Sequence, residues 1–208
     1  MTEPEAIPDD TAPRQRLLEA ALVEFGEYGF DAVSIRDICK RAGTNVASVN
    51  YYFRDKESLY LETAKHAHFC NMAPVPEWPA DMPPTERLQR FIRGMVTQMF
   101  APASPAAMKF MMREMAQPGK AARMIVDDFI RPMVFKLRDI LATMFPDIAP
   151  TKLLMTTFSI TGQVLFYRVN RRIAELIFGQ ENVDALTLDM VVEHITAFTL
   201  KALEGVNQ

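Results

Sequence analysis

A chain of 208 residues, 49% of them apolar and 24% charged, has room for one large domain or two smaller ones, each with a packed core. No apolar run approaches the roughly 18 residues a membrane helix needs, and the acidic start MTEPEAIPDD lacks the basic and apolar regions of a secretory signal, which points to a cytoplasmic protein with no membrane partner. A net charge of −3 excludes a protein that coats nucleic acid through bulk positive charge, but not one that binds through a local patch.

Residues 1–10 read as a disordered acidic tail. Asp10 and Thr11 then offer N-cap oxygens and Pro13 suits a first helical turn, after which Leu17, Leu18, Ala21, Leu22 and Phe25 recur at helical spacing until Gly29. Ser34 opens a second helix with Asp37 three residues on, close to a capping box. Ile35, Ile38, Cys39 and Ala42 form its apolar face, and Gly43 closes it. Asn45 can cap a third helix with Val46, Val49 and Phe53 inward, and Asp55 a fourth that runs through Leu59, Tyr60 and Ala64 to about Met72.

Two short helices joined by a tight Gly-containing turn, braced by longer ones, make a helix-turn-helix unit. Residues 36–56 carry a net three positive charges, from Arg36, Lys40, Arg41, Arg54 and Lys56 against Asp37 and Asp55. Prolines make 74–84 a linker, and five helical patterns follow, over 85–100, 105–117, 120–145, 150–178 and 184–204, with Pro132 kinking or restarting the third. The fold class is therefore all-α. Its domains are expected at 11–61, a helix-turn-helix, and 62–208, a helical effector-binding and dimerisation domain.

The stretch from Arg14 to Leu61, with LLEAALVEFGEYGF, SIRDICKRAG and NVASVNYYFRDKESLY, resembles the DNA-binding domain of the tetracycline-repressor (TetR) family. That family opens its second helix with serine or threonine, carries Ile-Ala-x-x-Ala-Gly within it, and continues into a Tyr-x-His-Phe-x-x-Lys run. Asn50 stands for its tyrosine, Tyr52 for its histidine and Cys39 for an alanine. The resemblance implies double-stranded DNA with a palindromic operator as partner.

Its implied contacts are Ser34 and Arg36 on the second helix, with Arg36 suited to a bidentate guanine contact, and Asn45, Val46, Ala47 and Ser48 reaching base edges in the major groove, while Asn50 can read adenine or hold a phosphate. Tyr51 and Tyr52 can offer hydroxyls to phosphates, and Lys56 adds charge where a helix start already favours an anion.

In this family the C-terminal helices bind an effector and pair two subunits, and all methionines but Met1 lie from Met72 onward. Met108, Met111, Met112, Met115, Phe129 and Met133 are expected to line an apolar pocket, with Arg113, Gln163, Tyr167 and Arg171 orienting a small hydrophobic ligand. A homodimer face is expected on the last two long helices, from Phe158, Gly162, Leu165, Phe166, Val191, Ile195, Phe198 and Ala202. Two-fold symmetry then sets the reading helices about 34 Å apart, or a multiple of it.

An enzyme is poorly supported. No Gly-rich phosphate loop follows a strand, Asp127 and Asp128 diverge on their helix, and His66, His68 and His194 are not spaced to hold a metal, so neither catalytic residues nor a cofactor is expected. Cys39 and Cys70 read as small buried hydrophobes, with a redox switch as the alternative. The expected function is a repressor that a small hydrophobic ligand releases from its operator. The alternative is a DNA-bound adaptor whose C-terminal half docks a protein.

Overall fold

The computed structural model describes residues 11–69, 77–79, 81–102 and 104–204; the acidic tail, Cys70, Met72 and part of the proline-rich linker lie outside them. Every regular element among the described residues is helical, and no helix there is long and apolar enough to cross a membrane. Two compact units emerge. The first holds the described residues as far as 69 together with 104–128, and the second holds 77–102 together with 129–204.

In the first unit α1 (Thr11–Ala32) is followed by α2 (Ile35–Ala42), α3 (Val46–Phe53) and α4 (Lys56–Phe69), then, after an excursion of the chain, by α6 (Pro105–Ala116) and α7 (Lys120–Ile125). The local capping signals are realised. The Ser34 hydroxyl accepts the Asp37 N–H at 3.2 Å, and the Asp37 carboxylate accepts the Ser34 N–H at 3.2 Å. Gly43 takes the left-handed φ of 62° that closes α2, with the Thr44 N–H bonded to the Cys39 carbonyl at 3.0 Å.

Hydrogen bonds from Ser34 hold the Asp37 carboxyl below its ordinary 3.8. The folded state therefore binds fewer protons than the unfolded one. The cap's contribution is fully present above about pH 4 and lost as pH falls through the depressed value. Asp37→Asn is expected to flatten the fall of melting temperature below about pH 4; an unchanged acid limb would remove this cap from the pH dependence.

The core of this unit is Leu17, Leu18, Ala21 and Phe25 of α1 against Ile38, Val49, Phe53, Leu59, Tyr60 and Phe110, with Cys39 also buried. Val46, expected inward with Val49 and Phe53, is instead 41% exposed, because it sits in the first turn of α3 on the side away from α1 and α4.

The placement of α6 departs most from the expected boundary at residue 61. It packs on α1 and α4, with Phe110 buried beside Tyr60 at 5.3 Å between ring centroids. A Cβ on Gly26 of α1 would come within 3.2 Å of the Phe110 backbone nitrogen, so the two helices approach as closely as glycine permits. The buried Glu114 of α6 accepts a short hydrogen bond from the Tyr60 hydroxyl. Burial and that bond push the Tyr60 phenol up, so it stays a proton donor.

The second unit contains α5 (Pro84–Phe100), α8 (Arg131–Met144), α9 (Pro150–Val169), α10 (Arg171–Phe178), α11 (Gln180–Asp184) and α12 (Leu188–Glu204). Its core is the Leu88, Phe91, Ile92, Met95, Val96 stripe of α5 against Leu137 and Leu141 of α8, Ile160 and Val164 of α9, and Val191, Val192 and Ile195 of α12. A π-helical turn, Val126–Ile130, precedes α8, and Pro132 falls in the first turn of α8, so the proline restarts the helix where its missing N–H costs nothing. The single helix expected over 150–178 is divided at Asn170, which ends α9 by donating to the Phe166 carbonyl and starts α10 by accepting from Ala174. The last helix begins at Leu188 rather than 184.

Candidate nucleic-acid interface and apolar pocket

Three contacts from α1 hold the helix-turn-helix. Arg16 donates to the Ala42 carbonyl at 3.2 Å, Arg41 pairs with the mostly buried Glu24 at 2.6 Å, and the Arg14 guanidinium lies 5.2 Å over the Phe53 ring. Three cations near the turn are therefore spent on the scaffold. Arg36 and Lys40 remain exposed on α2, and Arg36 makes no ion pair with the described residues.

The expected reading surface is largely presented to solvent. Asn45, Val46, Ala47 and Asn50 are exposed, Tyr51 is 75% exposed, and Ser48 and Tyr52 are half-buried. Asn45 is also structural, its Oδ1 capping α3 through the Ser48 N–H at 3.0 Å. Ser34 is exposed with its hydroxyl engaged by Asp37. Tyr51 and Tyr52 meet edge to face at 4.8 Å, which fixes where Tyr51 stands. Lys56 lies over the Phe30 ring at 4.5 Å, at the start of α4 where Asp55 caps the Ser58 N–H at 2.7 Å.

One feature here had no sequence signal. Arg54, between α3 and α4, has φ 72° and ψ −50°, and the Asp55 N–H bonds the Phe53 carbonyl at 2.8 Å. This is a γ-turn of the rare, strained kind. Such a conformation at a residue with a side chain costs about 1–3 kcal/mol.

In the second unit a half-open cavity of about 700 Å³ is bounded by α9, α10, α11 and the end of α5. Phe100, Phe166 and Phe178 supply apolar wall, and Gln163, Tyr167, Asn182 and His194 supply hydrogen-bonding groups. Arg168 anchors α9 beside it by donating to the Met99 carbonyl at 2.9 Å and the Ala101 carbonyl at 2.5 Å, and burial lowers the pKa of that guanidinium. Burial raises the Tyr167 phenol, which stays a donor. Arg171 is paired with Glu175 at 2.9 Å and with Asp184, so the cavity offers polar contacts rather than a free charge.

Of the expected ligand residues, Gln163, Tyr167 and Arg171 line this cavity. Met108, Met111, Met112, Arg113 and Met115 lie on α6 in the first unit, and Phe129 and Met133 do not reach it; Met133 packs on the second unit's core. Arg113 instead donates to the Glu27 carbonyl.

Of the expected dimer residues, Phe158, Gly162, Leu165, Phe166, Phe198 and Ala202 are exposed, and Gly162 and Phe166 also border the cavity. Val191 and Ile195 are 1% and 0% exposed within the protomer's own core, against α5, and so cannot form an outer face. The outward side of α12 carries Met190, His194 and Phe198 instead.

Residues 17–63 match the family model described as bacterial regulatory proteins of the tetR family, and residues 84–203 match that of the C-terminal domain of the HTH-type transcriptional dual regulator CecR. CecR of Shigella flexneri is 26% identical over 94% of this chain and 93% of its own length. Among solved structures, a linker-substituted form of HlyIIR aligns with a TM-score of 0.61 and 24% identity over 90% of this chain and 97% of its own. The flavonoid-responsive regulator FrrA aligns at 0.59 and 20% over 92% and 97%. The family match spans the helix-turn-helix and the second unit alike, and the chain belongs to the TetR family of DNA-binding transcription regulators, with a C-terminal domain of the CecR kind.

Proposed function

We propose that this regulator is a cytoplasmic repressor that sits on a palindromic operator as a homodimer and is released when a small hydrophobic effector enters the cavity of its second unit. The observation that carries this reading is the cavity itself. A space of about 700 Å³ lies in the 300–1,000 Å³ range of small-molecule sites, apolar with a few convergent polar groups. Three residues expected from sequence to contact ligand line it. Because Arg171 is already paired, the effector class that fits is an uncharged aromatic compound taking hydrogen bonds from Tyr167, Gln163 or Asn182. That FrrA is described as flavonoid-responsive supports the same chemistry. The adaptor alternative calls for a second unit filled throughout, and the cavity argues against it.

Release requires that ligand bind the DNA-free state better than the DNA-bound one, by the coupling free energy. The test is fluorescence anisotropy of the protein on duplexes from the DNA flanking its own gene, titrated with a panel of flavonoids and related aromatics. Tight, salt-sensitive binding to one palindromic segment is expected. Arg36→Ala should weaken it by about five- to 150-fold, since a bidentate base contact is worth roughly 1–3 kcal/mol. An active compound should dissociate the complex and lose potency in Gln163→Leu. A compound that binds in the cavity and leaves operator affinity unchanged would overturn the release mechanism.

A further inference from the structure

We propose that Arg54 is a DNA-contacting residue that grips a backbone phosphate at the outer end of the recognition helix α3. This rests on the reading of α3 as the groove-binding helix. The first observation is conformational. The other positive-φ positions among the described residues are glycines, Gly29, Gly43 and Gly179, whereas residue 54 adopts φ 72° with a full side chain. Glycine there would spare the strain, so the side chain has a task that the turn does not need.

The second observation is that the fold makes almost no use of that side chain. It is 85% exposed, and its Nε bonds the adjacent Asp55 at 3.3 Å, an exposed ion pair of the kind that contributes little to stability. Asp55 itself is committed to the Ser58 N–H, and that bond, followed by others including the one from Arg54, holds its carboxyl below the ordinary value. Asp55 can therefore aim Arg54 through Nε while leaving both Nη groups open, the pair that takes two phosphate oxygens together.

The third observation is position. The N-terminal residues of a recognition helix reach base edges, while its far end runs out toward the strand that borders the groove. Arg54 stands at that far end, two residues before Lys56 and three after the exposed Tyr51. Phosphate, the chemistry available there to a forked cation, sets register rather than sequence preference.

The experiment compares the parent protein with Arg54→Gly, Arg54→Gln and Arg54→Lys on a fluorescein-labelled mixed-sequence duplex of about 30 base pairs, from about 25 to about 200 mM KCl. Arg54→Gly and Arg54→Gln are expected to bind about tenfold more weakly at the lowest salt. Their plot of log affinity against log salt should be shallower by about 0.9 for each phosphate that the variant no longer neutralises. Arg54→Lys should keep most of the slope.

Thermal melting supplies the second readout, with Arg54→Gly expected to melt no lower than the parent. The proposal is overturned if Arg54→Gly and Arg54→Gln keep the parent's slope, or if their affinity falls only together with their melting temperature. Failure of the parent itself to show salt-dependent duplex binding would instead bring down the groove-binding reading, and this proposal with it.

Discussion

Phe110→Ala is expected to lower the unfolding free energy of the first unit by about 3–5 kcal/mol, the loss typical of truncating a buried aromatic ring. In sequence Phe110 belongs to the methionine-rich stretch that resembles a pocket lining, where truncation would cost little. In the fold it is 1% exposed and meets Tyr60, which itself packs edge to face on Phe25 at 4.8 Å. The ring fills the space between α1 and α4, and Gly26 lets its backbone approach so closely that no neighbour can collapse into the hole. The Tyr60–Glu114 bond lies one turn further along α6, and loosening that helix puts this buried hydrogen bond at risk as well. Urea unfolding of the full chain reads the loss as a lower midpoint. A shift worth less than about 1 kcal/mol would mean that α6 does not seal the space between α1 and α4.

Phe158→Glu combined with Phe198→Glu is expected to convert the proposed homodimer to a monomer and to weaken operator binding at least about a hundredfold, because the two half-sites would then be bound independently. Both side chains are more than half exposed in the protomer, so charging them leaves the core of the second unit intact. They are not isolated. Leu154, Met155, Leu165, Phe166 and Val169 are further exposed apolar residues on α9, and Met190 on α12, and grouped exposed apolar side chains mark interaction surfaces. Light scattering during size-exclusion chromatography checks the mass, and circular dichroism checks that the helices persist. A variant that stays dimeric would place the subunit contact elsewhere.

The two halves of the fold differed in how readily they could be read. The helix-turn-helix was legible because its signals are local. Ser34 with Asp37, Asn45 with Ser48, and Gly43 at a helix end each act over three or four residues, and the structure realises all three. What was not legible depends on contacts distant in sequence or on a choice between equivalent faces. Tyr60 and Glu114 are 54 positions apart, and no spacing rule joins them. On α12 the stripe of Val191 and Ile195 and that of Met190 and Phe198 are both apolar, and periodicity cannot say which turns toward α5 and which toward solvent. The strained turn at Arg54 left no mark because a positive φ is announced in sequence by Gly, Asn or Asp, and arginine is none of these.

The first unit is assembled from two separate stretches of chain, with α5 of the other unit lying between them in sequence, so the polypeptide passes from one unit to the other three times. A ribosome that has released residue 69 has therefore not yet made the DNA-binding head. The head lacks Phe110 and Glu114 until α6 has followed, and the partner helix for Tyr60 arrives only after all of α5 has been synthesised. The same arrangement governs chimeric regulators. A head grafted at residue 61 leaves behind the helix that seals it, whereas a graft that carries residues 104–128 along takes the seal with it. In such hybrids α6 has to be inherited with the DNA specificity, not with the sensor.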